Sequence, residues 1–502
     1  MKKIVNKNLF SDKKFLLFSI ILLGIFLKIY YVYQFDDYFD DWNFLYTVDP
    51  NISNEQTWKR YFGDRGDWFL PEDFPYYFAF TTKYFLKVVG YSVENAHFFL
   101  LFFSIGSFFI FIKLCRIFSE DYKFILIAIL LLITNIFLTR ELNSLRPHAL
   151  SQFFCLTSLY YYILIYIKNK RSFKNNFLFI LTTLYLLSIW PLNLAFFAGQ
   201  CVYLLKVMID DKKYKKNFLS TIMPLLLVAI LYIIFNYKYL DYQVINKTQH
   251  YTNLDLKFFT NFFFRSFFGS ILFGGIFLLI FGFFFLFEVL ETAKKSRSNL
   301  ILFIKNLKKE NILLVIIITI YILIILYSIM RAGVMAPKYI TILVPLIILW
   351  VSYKIYLLKN NFLYYSIIIL TILNLIIYWK DIPIDRPETR KVLKEVVKSD
   401  IKNLYTTELI FFNNYLRNYK ISIKNDVIVE KFIAKEVNNY PDQFWLLCMN
   451  NPRFALGENS LPDEKKCFKY QEANHLPFIK KELKMIKSIR YQDFILQLIE
   501  KS

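Results

Sequence analysis

Apolar residues in this chain fall in long runs, each roughly the 17 to 25 residues that a membrane-crossing helix needs. Eleven such runs lie near 14–34, 95–112, 123–139, 147–167, 175–190, 192–209, 218–236, 267–290, 311–330, 338–358 and 361–379. A twelfth stretch, Pro75 to Tyr91, is shorter on apolar residues and ambiguous. Parity decides how to read it. If Pro75–Tyr91 does not cross, the basic loops "KLCRIFSEDYK", "KNKRSFKNN", "DDKKYKKN" and "ETAKKSRSNLILFIKNLKKE" all fall on the side of the N-terminus, as the positive-inside rule prefers. The stretch therefore reads as an amphipathic helix on the outer face, with Lys83 and Lys87 at the interface and Phe80, Phe85 and Leu86 toward lipid.

Beyond Trp379 the pattern changes. "PETRKVLKEVVKS" and "ELIFFNNYLRNYK" have helical periodicity, while "DQFWLLCM" and "RYQDFILQLI" read as strands, which predicts a small α/β domain. The expected architecture is an α-helical polytopic membrane protein of about 11 transmembrane helices, residues 1–379, with a first outer loop over 35–94. Residues 380–502 form the soluble domain. The short "TRELNSLRPH" and an aromatic-rich segment over 237–266 also fall outside.

Composition agrees. Of 502 residues, 56% are hydrophobic and 20% aromatic, and the mean hydropathy is +0.39, so lipid rather than water must solvate most of the chain. The net charge of +22 comes from short clusters between apolar runs, not from a groove-lining patch, which argues against nucleic acid as a partner. The N-terminus pairs a basic flank with an apolar core but has no small-residue cleavage site, so it reads as an uncleaved first span. These features place the protein in the cell (inner) membrane, N-terminus cytoplasmic and C-terminal domain periplasmic or extracellular. Such a compartment permits a disulfide between Cys448 and Cys467.

Carboxylates are nearly absent from the spans and crowd into the first outer loop, where Asp36, Asp37, Asp40 and Asp41 occur within six residues. A proton or ion pump would place its acids inside the spans. Behind the first span these acids stand at the end of a helix dipole that disfavours them. Either they break the helix and face water, or one is a general base whose neighbour orients it or holds a divalent cation. In "ELNSLRPHALSQ", Arg146 precedes Pro147, where a helix can begin, so the guanidinium, the His148 ring and the free N–H groups of a helix start suit a phosphate. The alternative is that Arg146 reaches to lipid headgroups. Arg331, Lys338 and Tyr339 in "MRAGVMAPKYITILVP" have the same two readings, as phosphate ligands or headgroup anchors.

Taken in order, these pieces resemble the membrane glycosyltransferases of the GT-C type, in the bacterial branch (glycosyltransferase family 39-like) related to protein O-mannosyltransferases and the aminoarabinose transferase of lipid A. Asp40-Asp41-Trp42 matches that family's paired acid followed by an aromatic; "LPEDFPYYFAFTTKYFLKVVG" its surface helix; "LRPHALSQ" its Arg-Pro-Tyr-Ala-Leu element; "PKYITILVP" its late Arg-Tyr element before a proline. The pair here is Asp-Asp rather than Asp-Glu, and Glu72 and Asp73 stand where the family's surface-helix element carries a His.

The resemblance implies an inverting transfer of a sugar from a polyprenyl-phosphate donor to a glycan, lipid or protein acceptor at the outer membrane face. It implies Asp40 as the base beside Asp41, and Arg146, His148, Lys338, Arg331 and Tyr339 at the donor phosphate. Glu72, Asp73 and Glu141 are secondary candidates for the acceptor or a metal. The rival reading is a polyprenyl-linked oligosaccharide polymerase, ligase or flippase, which gives no reason for both an acid-loaded first loop and a soluble tail.

Overall fold

The computed structural model describes residues 2–34, 39–63, 76–210, 217–246, 271–296, 311–330, 337–378, 389–406, 427–431, 439–449, 483–491 and 494–501. They divide into two compact units: Met1–Tyr31, Asp73–Phe78 and Leu100–Ile382 in one, and Val32–Glu72, Ala79–Phe99 and Pro383–Ser502 in the other.

The helices, in chain order, are α1 (Lys2–Gln34), α2 (Phe39–Thr47), α3 (Asn54–Tyr61), α4 (Tyr76–Val89), α5 (Val93–Phe118), α6 (Tyr122–Ile133), α7 (Ile136–Asn143), α8 (His148–Tyr166), α9 (Phe173–Ile189), α10 (Leu194–Asp210), α11 (Phe218–Asn246), α12 (Ile271–Ser296), α13 (Ile312–Met330), α14 (Leu343–Leu357), α15 (Asn361–Tyr378) and α16 (Thr389–Lys398). Each of the eleven apolar runs contains α-helix among its described residues, with breaks at residues 134–135 and, ahead of α14, at residues 341–342. Seven of these helices are long and apolar enough to cross a membrane, α6 and α7 together make an eighth bent by 54°, and α9, α14 and α15 are shorter apolar helices.

The first unit is a helical bundle. Its helices α8 and α9 pack together through Tyr162, Tyr166 and Phe179, and α9 meets α11 through Leu187, Val228 and Tyr232. Helix α10 lies close against α13: a Cβ at Gly199 would stand 3.0 Å from the Ile316 Cα, the close approach that small residues allow between membrane helices. Large apolar side chains such as Ile233, Ile234, Leu279 and Phe283 point outward, as a lipid solvent requires. Hydroxyl and amide side chains stitch the interior, with the Ser158 and Thr183 oxygens 2.7 Å apart and Gln200 Nε2 donating to Ser158 Oγ at 3.0 Å.

Two boundaries differ from the sequence expectation. The run over 123–139 is not one helix: the Asn135 side chain accepts from the Leu138 N–H and caps a new helix, so "TRELN" continues as α7 instead of a loop. Helix α11 likewise runs on to Asn246, past the expected end at 236.

In the second unit, residues after 388 form a five-stranded sheet of order β2-β1-β3-β5-β4, built from β1 (Asn403–Thr406), β2 (Ile428–Lys431), β3 (Gln443–Met449), β4 (Leu483–Arg490) and β5 (Phe494–Lys501). The first three strands pair in parallel, while β5 runs antiparallel to both β3 and β4. Helix α16 buries Val392, Leu393 and Val396 at helical spacing, and the Trp445 indole N–H of β3 donates to Ser399 Oγ at its end (2.8 Å). This is the α/β domain that the sequence led us to expect. Cys448 is disulfide-bonded, its partner lying outside the described residues, while Cys115, Cys155 and Cys201 are free thiols.

Candidate active site

Asp40 and Asp41 do not lie in the last turn of the first helix. After α1 stops at Gln34 a separate helix, α2, begins at Phe39, so Asp40 and Asp41 occupy its first turn. There the free N–H groups and the positive end of the dipole favour carboxylates, the reverse of the penalty expected behind the first span. Asp36 and Asp37 lie outside the described residues.

Helix α2 is buried almost all round. Asp41 is 0% exposed, and Trp42, Phe44, Leu45, Thr47 and Val48 are buried with it. Its last carbonyls, which no residue of the helix can satisfy, take outside donors: the Tyr91 hydroxyl bonds Leu45 O at 2.9 Å, and Arg60 Nη1 bonds Tyr46 O at 2.6 Å. The Arg60 guanidinium also lies 3.6 Å from the centroid of the Tyr46 ring, which places a cation at the helix C-terminus where the dipole wants one.

Helix α3 is started by a capping box: Ser53 Oγ accepts from Gln56 N–H, and Gln56 Oε1 accepts from Ser53 N–H. It is fastened to α4 by Lys83, whose ammonium reaches Ile52 O (2.9 Å), Ser53 O (3.2 Å), Asn54 Oδ1 (3.1 Å) and Thr57 Oγ1 (2.6 Å). Lys83 is thus 2% exposed and committed, not at an interface, and Leu86 is buried on the same face. The exposed face of α4 carries Tyr84, Lys87 and Val88 instead. Burial holds the Lys83 ammonium below its usual pKa range; the Asp49 carboxylate opposes this, and the Lys87 and Arg60 charges add to it.

In the first unit the "LRPHALSQ" element opens a helix. Helix α8 starts at His148, with Pro147 as its N-cap and no side-chain cap on its first N–H groups. Arg146 is half-buried just ahead of it, in a turn whose Arg146 N–H bonds Ser144 O at 2.7 Å. The His148 ring is buried edge-on to Trp190, centroids 5.9 Å apart at 78°. Trp190 in turn stacks on Tyr339, at 6.0 Å and 21°.

This row joins the head of α8, the extended residue between α9 and the 3-10 turn Pro191–Asn193, and the 3-10 turn Pro337–Ile340. Asn193 holds that first turn in place, donating to Ser151 Oγ (3.1 Å) and to Leu186 O (2.8 Å). Trp190 was not among the residues the sequence singled out; a Trp-Pro pair between two apolar runs was the available signal.

Glu141 is bonded to its neighbour, Arg140 Nε and Nη2 reaching Glu141 Oε1 at 3.1 and 3.0 Å. Asp40 and Lys338 are placed by backbone alone, and Arg331, Glu72 and Asp73 lie outside the described residues. Among the described residues no three His, Cys, Asp or Glu side chains group as a metal site.

No protein family matches the sequence, and no curated protein does. Solved structures do match. ArnT from Cupriavidus metallidurans bound to undecaprenyl phosphate aligns over 96% of this chain and 97% of its own, with a TM-score of 0.52 at 8% identity. The apo state of the same protein aligns over 91% and 95%, with a TM-score of 0.46 at 11% identity. The long apolar helices, the small sheet domain and the end-to-end alignment lead to one conclusion: this chain is a multi-pass membrane protein with the GT-C fold that ArnT has.

Proposed function

We propose that the chain transfers a sugar from a polyprenyl-phosphate donor to an acceptor hydroxyl or amine at the membrane surface, with inversion. The observation that carries this reading is the acid pair Asp40-Asp41 at the head of a buried helix, on a chain whose fold aligns end to end with an undecaprenyl-phosphate-bound ArnT.

In this mechanism Asp40 accepts the proton of the acceptor as its oxygen or nitrogen attacks the anomeric carbon. The bond from that carbon to the phosphate oxygen breaks, and the electron pair leaves with the polyprenyl phosphate. Asp41, fixed by burial, orients its neighbour. Arg146, with Lys338 and Arg331, meets the charge that grows on the leaving phosphate, an electrostatic role for which Arg geometry is well suited. The Trp190 and Tyr339 rings offer flat apolar faces of the kind sugars and isoprene units both stack on.

The test uses the purified full-length protein with a panel of undecaprenyl-phosphate sugars and an envelope extract as acceptor. Release of free undecaprenyl phosphate with labelling of the extract is expected for one donor, and Arg146→Glu should raise the donor KM. No release from any donor would remove the reading.

A further inference from the structure

The bundle carries a second candidate site far from Arg146 and His148. A half-open cavity of about 1320 Å³ lies where α5 and α14 end and where α6 and α15 begin. Helix α6 starts in it at Tyr122, whereas α8 starts with His148 only after α6 and α7 have been traversed. Twelve residues of α6 alone rise about 18 Å, so the cavity sits toward the opposite end of the bundle from the His148–Trp190–Tyr339 row.

The lining has two parts. Its floor is apolar, with Ile125 of α6 and Ile368 of α15 among the side chains, and Leu16 of α1 at its exposed edge. Its rim carries Arg116, Lys123 and Lys359 against Glu120 and Asp121. These charges do not cancel in pairs. The Asp121 carboxylate is spent on capping α6, accepting from Lys123 N–H at 2.8 Å, and Lys123 Nζ donates to Asn361 Oδ1 at 2.9 Å. Among the described residues Arg116 and Lys359 have no side-chain hydrogen bond or ion pair, and both are exposed. Tyr122 is also in the lining, and its hydroxyl is buried with no hydrogen-bond partner among them.

Lys359 is unusual in a second way. It follows the end of α14 with φ at 52°, the left-handed conformation that a helix terminus normally gives to Gly or Asn. A long cationic side chain held there strains the backbone where Gly would not, and local strain of this kind collects at binding sites.

We propose that this cavity binds one anionic phospholipid. Arg116 and Lys359 take its phosphate, and the acyl chains lie along Ile125 and Ile368. A cavity open toward the lipid faces of α1 and α15 and rimmed by basic and tyrosine side chains fits a headgroup-depth ligand with an apolar tail.

The test is native mass spectrometry of the full-length protein in detergent, titrated with phosphatidylglycerol and, separately, with phosphatidylcholine. One phosphatidylglycerol should remain bound, in clear preference to phosphatidylcholine. Arg116→Gln with Lys359→Gly should weaken it about 30-fold, each basic side chain near a lipid head group being worth roughly a factor of five. Because Gly suits the left-handed position, Lys359→Gly alone should keep or raise thermal stability while still losing affinity. Lys170→Gln with Lys174→Gln, exposed at the α8–α9 turn, should change nothing. Equal retention of both lipids, unchanged binding in the double variant, equal loss in the Lys170/Lys174 control, or displacement by equimolar undecaprenyl phosphate would each overturn the proposal.

Discussion

Trp190 stacks on Tyr339 at 6.0 Å, joining two positions about 150 residues apart in the chain through one ring pair. The same indole meets His148 edge-on, so one side chain fixes the positions of two candidate donor-site residues. An aromatic pair contributes about 0.5–1.5 kcal/mol beyond its area. Trp190→Ala should therefore raise the donor KM about tenfold, and Trp190→Phe should recover part of it, read from initial rates over a donor series. An unchanged KM in Trp190→Ala would remove the ring row from the site.

Lys83 gives a prediction about stability and pH. Lys83→Met leaves four acceptors around α3 without their donor and should cost about 1–3 kcal/mol in the thermal stability of the purified protein. The sign of the pH effect follows from burial. The folded-state pKa lies below the ordinary 10.5, so between the two values the unfolded chain binds more protons. Stability from this group therefore rises with pH through that window. The Tm of the wild type minus that of Lys83→Met should grow as pH increases toward 10.5; a difference that stays flat or shrinks would rule out a buried ammonium with a lowered pKa.

These two cases show what the sequence could carry. The apolar runs were legible because lipid solvation demands long apolar stretches, and each contains α-helix where described; the break at Asn135 inside the third run was not legible. The strands at Gln443–Met449 and Phe494–Lys501 were legible from local pattern too. The placement of Lys83 was not: the periodicity of α4 is real, but which face turns inward depends on α3, which offers four oxygens. Nor was Trp190, since its role depends on Tyr339, far along the chain. The acid pair was read at the wrong helix terminus because the end of α1 and the start of α2 are separated by only residues 35–38.

A buried charge cluster ties α12, α13 and α14. Lys354 Nζ meets Glu288 Oε2 at 2.5 Å, and Asn311 Nδ2 donates to Glu288 Oε1 at 2.6 Å. Removing one charge strands the other in an apolar interior, at about 3–5 kcal/mol. Glu288→Leu and Lys354→Met should each lower the Tm strongly, while the double variant should recover most of the loss. Additive losses would show that the pair does not act as a unit.

Gly199 sets the spacing of α10 and α13. Its Cβ would meet backbone, the Ile316 Cα, so the clash cannot be relieved by a rotamer change. Gly199→Val should destabilise the protein by about 1–3 kcal/mol through overpacking, seen as a lower Tm in detergent. Gly282, where an added Cβ would meet nothing within 4 Å among the described residues, should tolerate the same change.

The proposed sugar transfer turns on Asp40 at the head of α2. The most direct measurement is single-turnover transfer by purified Asp40→Asn with the donor identified for the wild type, alongside its thermal stability. At least a hundredfold loss of rate is expected, the usual worth of a general base, with donor binding and Tm close to wild type. Transfer at the wild-type rate would refute the proposed base and take Asp40 out of the chemistry.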